Sequence, residues 1–308
     1  MISDEYGCPV TASDQAPSAI SRVQAVRSDG SGIRRESVVV EEPLEIRINR
    51  GSSESALAVT MRTPGADLEL AAGFLWGEGI VRSFEQLVSV KVCGDRALTP
   101  RQRANVVIAT LAPTAAEVAR NLERRFTISS ACGVCGSTSL SDMHERGTAK
   151  VTPTPHDAAS LAALTSLLDE RQKIFASTGG LHAAALVDPV GSLRWLREDV
   201  GRHNAVDKVV GAALLAGALP LSGWTLVVSG RVGYEIAQKA VAAGISALVG
   251  VSAPTSLAID LAQEFGLTLL AFARGGVANQ YSPIDSPIAQ PHEGKEMMDK
   301  RESEGVAS

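Results

Sequence analysis

The sequence predicts an α/β protein: a C-terminal sheet covered by helices on both faces, preceded by a smaller α+β domain. Three observations carry this. The chain has 308 residues and is 45% hydrophobic, and chains beyond about 250 residues tend to divide into more than one core. From Trp224 onward, short apolar runs alternate with helical ones: "WTLVVS", "YEIAQKAVAAG", "SALVGVS", "SLAIDLAQEFG", "LTLLAFA". That alternation is the pattern of a parallel, helix-covered sheet. Before the Pro-rich joint "VTPTP" (151–155) the runs are instead strand-like, with isolated helices between them.

In chain order, residues 1–33 are rich in Ser, Ala, Asp and Gly without periodicity and read as a loose tail. The N-terminal domain spans 34–126. Its "VVVEEPLEIRIN" and "SALAVTM" are β-rich and split by Arg50-Gly51-Ser52, which predicts a hairpin. "PGADLELAAGFLWGEGI" reads as a helix capped by Asp67 and ended by Gly77 or Gly79. "LVSVKVC" and "NVVIATL" alternate as strands, and "TAAEVARNLERRF" reads as a helix with a capping box of Thr114 and Glu117. Residues 127–155 read as a mobile loop and linker. The C-terminal domain, 156–287, opens with the helical run "HDAASLAALTSLLDERQKIF". "HAAALV" and "LRWLRE" then form a hairpin around Asp188-Pro189-Val190-Gly191. "RHNAVDKVVGAALLAG" places Ala205, Val206, Val209, Val210, Ala213 and Leu214 on one helical face. Residues 288–308 read as a second tail.

Composition bounds the function. A net charge of −5 shows no basic excess of the kind that marks nucleic-acid binders. No run of 18 apolar residues would span a membrane, and no basic-then-apolar leader opens the chain. The expected location is the cytoplasm. Four cysteines do not make a disulfide scaffold.

Ligands of open α/β sheets bind outside the carboxyl ends of the strands. Here those ends read Ser229-Gly230-Arg231, Ser252-Ala253-Pro254-Thr255 and Arg274-Gly275-Gly276. They offer hydroxyls, open amides and guanidinium groups, and the first two run into helix N-termini, which favour anions. Together they predict a phosphate- or nucleotide-binding rim. Gly179, Gly180 and His182 suit either a turn facing that ligand or a satisfied histidine beside a tight turn. In "EDVGRHNAVDK", Asp199, Arg202, His203, Asp207 and Lys208 crowd one helix start. They suit either phosphate recognition or a salt-bridged cap.

Cys132 and Cys135 lie in "SSACGVCG", each followed by glycine. A structural zinc site needs about four ligands, and Cys8, Cys93, His144, His182 and His203 have no finger spacing. Zinc deaminases need His-x-Glu before Pro-Cys-x-x-Cys. Here Ala184 stands where the glutamate would be, and the cysteine pair comes first. A thioredoxin-like dithiol would open a helix, whereas the two glycines favour a loop. A reactive thiolate that carries sulfur is the reading that uses both cysteines and glycines. Cys93 ends a strand and reads as structural.

Six runs in order, "SSACGVCG" (129–136), "STGGLHAAAL" (177–186), "EDVGRHNAVDKVVG" (198–211), "SGRVGYEIAQKA" (229–240), "VSAPTSLAIDLA" (251–262) and "LTLLAFARGG" (267–276), resemble the formate dehydrogenase accessory sulfurtransferases of the FdhD family. The resemblance covers about residues 35–285. It implies a sulfurtransferase with a cysteine persulfide on Cys132, assisted by Cys135. Sulfur would pass from a cysteine desulfurase to the molybdenum cofactor, in its bis-molybdopterin guanine dinucleotide form, before insertion into formate dehydrogenase. It also implies a C-terminal domain like the cytidine deaminase fold, a homodimer, and a bound guanine nucleotide moiety such as GDP, with no intrinsic metal. By position, Phe272, Ala273, Arg274, Gly275, Gly276 and Val277 match the cofactor-binding segment. Ser229, Arg231, Ser252, His182 and Arg202 complete the expected site. The alternative is a cofactor chaperone without sulfur chemistry.

Overall fold

A computed structural model describes residues 18–51, 53–115, 140–145, 147–154 and 156–283. The N-terminal part has strands β1 (Ile20–Val26), β2 (Ile33–Val39), β3 (Glu42–Asn49), β4 (Glu54–Arg62), β5 (Leu87–Val92) and β6 (Val106–Leu111), with helices α1 (Asp67–Gly77) and α2 (Pro100–Ala104). Helix α3 (Leu140–Glu145) follows. The C-terminal part has short helices α4 (Ala158–Ala163), α5 (Ser166–Arg171) and α6 (Lys173–Thr178), hairpin β7 (His182–Val187) and β8 (Leu193–Asp199), and α7 (Arg202–Leu215). Then come β9 (Thr225–Val228), α8 (Tyr234–Ala242), β10 (Ala247–Gly250), α9 (Ser256–Phe265), β11 (Thr268–Arg274) and β12 (Val277–Ser282).

The C-terminal sheet has the order β12-β11-β10-β9-β7-β8. Pleating sends its side chains to two cores. Ala183, Ala185, Val187, Val227, Val249 and Leu270 face α4 and α5 through Leu161, Ala162 and Leu168. Ala184, Leu186, Leu226, Val228, Leu248 and Leu269 face α7 to α9 through Val206, Val209, Val210, Ile236 and Leu261. Burying each such aliphatic side chain contributes roughly 1.5–3 kcal/mol. The N-terminal sheet, ordered β4-β3-β6-β5, packs Leu44, Ile46, Ile48, Val107 and Ala109 against Leu70 and Leu75 of α1.

Helix α1 lies on α7, so the expected one-sided burial of α7 becomes burial on every side from Asn204 to Leu214. Two glycines permit this. A Cβ at Gly73 would overlap the Asp207 carbonyl, and one at Gly211 would overlap the Glu69 carbonyl. Ion pairs lock the layer. Lys208 Nζ meets Asp199 at 2.7 Å, with both side chains almost inaccessible, and donates to the Thr63 carbonyl at 2.9 Å. Lys239 pairs with Asp207 at 2.7 Å.

Several expectations are corrected. Ile20–Val26 is no tail: it pairs in register with Ile33–Val39. Asp67 is the first residue of α1 rather than its cap; Ala66 holds that place in the left-handed region. The Asp67 carboxylate binds Arg62 instead. The single helix expected after His156 is three short ones, because Asp157 caps the first and the chain turns at Leu164 and Gln172. Within the expected mobile stretch 127–155, Met143 is buried and the Val151 N–H donates to the Phe265 carbonyl. The C-terminal sheet is mixed: β9, β10 and β11 are parallel, while β7, β8 and β12 run antiparallel to their neighbours. Strand β12 was not expected. The helix expected from Thr114 lies, beyond residue 115, outside the described residues, as does the tail 288–308. Among the described residues no helix is long and apolar enough to cross a membrane.

Candidate functional site: the carboxyl edge of the six-stranded sheet

Register brings the expected site residues to one edge. Ala184 of β7 stands opposite Val228 of β9, and Gly250 of β10 also pairs with Val228. His182 at the start of β7 therefore stands level with the loop after β9 and, across the hairpin, with Asp199. The Phe272 N–H donates to the Ser252 carbonyl at 3.2 Å, and Val232 N–H to Ala253, tying the three strand-end loops together.

Gly230 is the buried floor of this rim. A Cβ there would stand 3.3 Å from both Arg202 Cβ and His182 Nδ1, so only glycine lets the two side chains close over it without displacement. The Nε of Arg202 is buried with no hydrogen-bond partner. An unpaired guanidinium N–H at a binding edge costs stability unless a ligand accepts from it. Helix α7 begins beside it at Gly201, and α8 begins at Gly233; neither N-cap has a side-chain hydrogen bond. Glycine at both caps leaves first-turn amides to an external acceptor, and the positive ends of two helix dipoles point to the same rim. By contrast, Thr255 caps α9 through the Ala258 N–H.

His203 and Glu235, in the first turns of α7 and α8, meet at 2.9 Å. That hydrogen bond holds the Glu235 carboxyl below its usual range, against the opposing effect of burial. Burial, and then the charges of Arg202, His203 and Arg231, push the His182 imidazole below its ordinary range. A neutral His182 makes a stability prediction. The unfolded chain binds more protons below about pH 6.5, so the contribution is complete above that pH and declines as pH falls through it. His182→Gln should remove this part of the decline. Urea midpoints at pH 7.5 and 5.5 check it, and equal losses in both proteins would show an imidazole that titrates normally.

The β11–β12 hairpin forms the far side of the rim. Gly275 and Gly276, at φ of 56° and 79°, make the two-residue turn between paired Arg274 and Val277, which requires left-handed backbone at both positions. Phe272 is also left-handed, at φ of 53°, and the residue is 51% exposed. Holding a bulky residue there is strained and presents an aromatic face at the edge. Ala273 is buried beneath it, and Val277 is 73% exposed. Arg231 and Arg274 are exposed. Ser229 Oγ accepts from the Ala183 N–H at 2.8 Å, tying β9 to β7; its own proton is left to donate.

The crowded helix start divides between the two roles weighed for it. Arg202 and His203 face the rim, whereas Asp199, Asp207 and Lys208 are internal ion pairs. Asp199 accepts further bonds from Gly201, Asn204 and Thr63. Cys93 is buried among Val106, Ile108 and Leu98. Cys132 and Cys135 lie outside the described residues, between Ala115 and Leu140. Sequence reasoning missed the bare caps and the strained Phe272. Glycine directly before each helical run was a readable signal for the caps, and nothing local marked Phe272. Among the described residues, no group of three or more His, Cys, Asp or Glu could hold a metal ion.

Comparison with known proteins places this geometry. A family model described as the FdhD/NarQ family matches residues 39–286. A sulfur carrier protein FdhD from Streptomyces avermitilis is 46% identical over 264 residues, covering 85% of this chain and 92% of that protein. The protein of the same name from Mycolicibacterium paratuberculosis is 47% identical over 254 residues, covering 82% and 92%. The crystal structure of a candidate formate dehydrogenase accessory protein from Desulfotalea psychrophila matches with a TM-score of 0.64 at 24% identity, covering 85% and 95%.

Proposed function

We propose that this chain, which belongs to the FdhD/NarQ family, carries sulfur for the maturation of formate dehydrogenase. In this reading the rim holds the guanine nucleotide arms of the molybdenum cofactor as substrate, and the cysteines deliver sulfur to it. The observation that carries the ligand reading is the buried, unpartnered Nε of Arg202 between two helix N-termini without side-chain caps. Phosphate oxygens would accept from it and from the first-turn amides. The exposed Phe272 ring offers a stacking face for a planar base, and Ser229 and Ser252 flank the phosphates.

The sulfur step conserves electrons. The Cys132 thiolate attacks the terminal sulfur of a donor persulfide. A new sulfur–sulfur bond forms on Cys132, the donor's bond breaks, and the donor cysteine leaves as a thiolate. Cys135 assists by holding or resolving the persulfide. A cysteine desulfurase is the donor, the formate dehydrogenase catalytic subunit is the recipient of the finished cofactor, and a cytoplasmic homodimer is the working form. The likeness of the C-terminal domain to the cytidine deaminase fold belongs to the same reading, supported by the helix-sheet-helix layering.

Arg202→Ala should weaken GDP binding about tenfold to a hundredfold, the scale of one lost charge-assisted contact. Arg202→Lys should recover only part of it, because an ammonium lacks the planar fork. Calorimetric titration with GDP checks both. Wild-type affinity in Arg202→Ala would remove the nucleotide from this edge.

A further inference from the structure

Buried polar groups fasten the end of β4 to the start of α7. Thr63, directly after β4 and 1% exposed, turns its amide, its carbonyl and its hydroxyl to that start. Its N–H donates to Asp199 Oδ2 at 3.2 Å. Its carbonyl accepts from Lys208 Nζ at 2.9 Å, and its Oγ1 accepts from the Val200 N–H at 3.3 Å. Asn204, in the first turn of α7, answers from the other side. Its Nδ2 donates to the Met61 carbonyl at 2.7 Å and to Asp199 Oδ1 at 3.1 Å. Its Oδ1 accepts from Thr60 Oγ1 at 3.2 Å. Asp199 Oδ1 also accepts from the Gly201 N–H at 2.8 Å. Asp199, Val200 and Gly201 are thus each bonded within one seam, and Arg202 follows them directly.

Holding the two sheets together does not require this seam. The close approach of α1 to α7 at Gly73 and Gly211, and the apolar core beside it, already do so. A buried polar network whose members are satisfied fixes one arrangement where apolar surfaces tolerate small slips. The group most exposed to such a slip is the Arg202 guanidinium. Its Nε has no hydrogen-bond partner, so its place is set by the backbone from which it rises. The side chain has little room to compensate, because a Cβ at Gly230 would stand 3.3 Å from Arg202 Cβ and 3.6 Å from its Cδ.

We infer that Thr63 and Asn204 are positioning residues for the nucleotide rim. Through Asp199, Val200 and Gly201 they set where α7 begins, and therefore where Arg202 offers its guanidinium to a phosphate. The inference rests on the nucleotide-rim reading and extends the site into the N-terminal sheet. That sheet supplies alignment from behind the rim, since Thr63 is too buried to touch a ligand itself.

Thr63→Val removes the hydroxyl that accepts from Val200 at nearly unchanged volume, and Thr63→Ser keeps it. Calorimetric titration should show about tenfold weaker GDP binding for Thr63→Val, and binding close to wild type for Thr63→Ser. A thermal melt reports that each variant is folded. The decisive readout is coupling. In an Arg202→Ala background, Thr63→Val should cost no further affinity, because the group it positions is gone. A merely structural loss would weaken the double variant by the same factor again. Should Thr63→Val not fold, Thr60→Val removes the donor to Asn204 from a half-buried strand position. It should cost about threefold, again only with Arg202 present. Wild-type GDP affinity in the folded variant would overturn the positioning role. So would an equal loss in the Arg202→Ala background, or a Thr63→Ser as weak as Thr63→Val, which would make packing of the methyl group the cause. If Arg202→Ala alone binds GDP as wild type does, the nucleotide reading itself fails, and that result is read without any seam variant.

Discussion

Incubation with a cysteine desulfurase and cysteine should add about one sulfur mass to the wild-type chain, reversed by reductant, and none to Cys132→Ser. This is the largest functional effect expected of any single substitution. The thiolate is the attacking group, and a serine hydroxyl at neutral pH supplies no comparable nucleophile. Cys135→Ser should still gain the mass, and lose it faster to added thiol if Cys135 shields the persulfide. GDP binding should be unchanged in both variants, since the rim residues lie on other segments. No gain in wild type, with desulfurase activity confirmed, would leave a cofactor chaperone. The rim would then carry the whole function.

Gly211→Ala should destabilise the protein by about 3 kcal/mol or more. The sign is the decisive feature. In a helix interior, glycine to alanine ordinarily stabilises by about 1 kcal/mol. Here the added carbon would overlap the Glu69 carbonyl, and the reciprocal position, Gly73, abuts the Asp207 carbonyl. Both neighbours are backbone and cannot rotate aside, so α1 and α7 must separate. Their separation would strain the Lys208–Asp199 and Lys239–Asp207 pairs in the same layer. Thermal unfolding of Gly211→Ala against wild type measures it. A melting temperature at or above the wild-type value would show that the helices have room between them.

The two predictions differ in how they became visible. Cys132 and Cys135 stand out from sequence because spacing and flanking glycines are local. The strand-end loops stand out for a similar reason: alternation of apolar strands with helices fixes which loops share an edge, before any contact is known. The β7–β8 hairpin and α7 followed from period and turn chemistry alone. Residues 20–26 did not, because a ribbon exposed on both faces has no buried alternation to show. Helix α7 read as one-sided because periodicity registers the sheet it covers and not the second helix laid across its small residues.

By itself, then, the sequence determined the layered α/β plan, the cysteine pair, and the edge where Arg202, Ser229, Arg231 and Phe272 gather. Tertiary structure alone decided what each polar group is for. Asp199, Arg202, His203, Asp207 and Lys208 lie within ten positions, yet three close buried ion pairs while Arg202 and His203 reach the rim. Only packing against β4, α1 and α8 separates them. The cavity at the opposite edge of the sheet, lined by Trp76, Met143, Pro220 and Val241 among others, was likewise hidden, because its walls come from four distant segments. A cavity is the space that remains after those segments pack, and no single segment carries a sign of it.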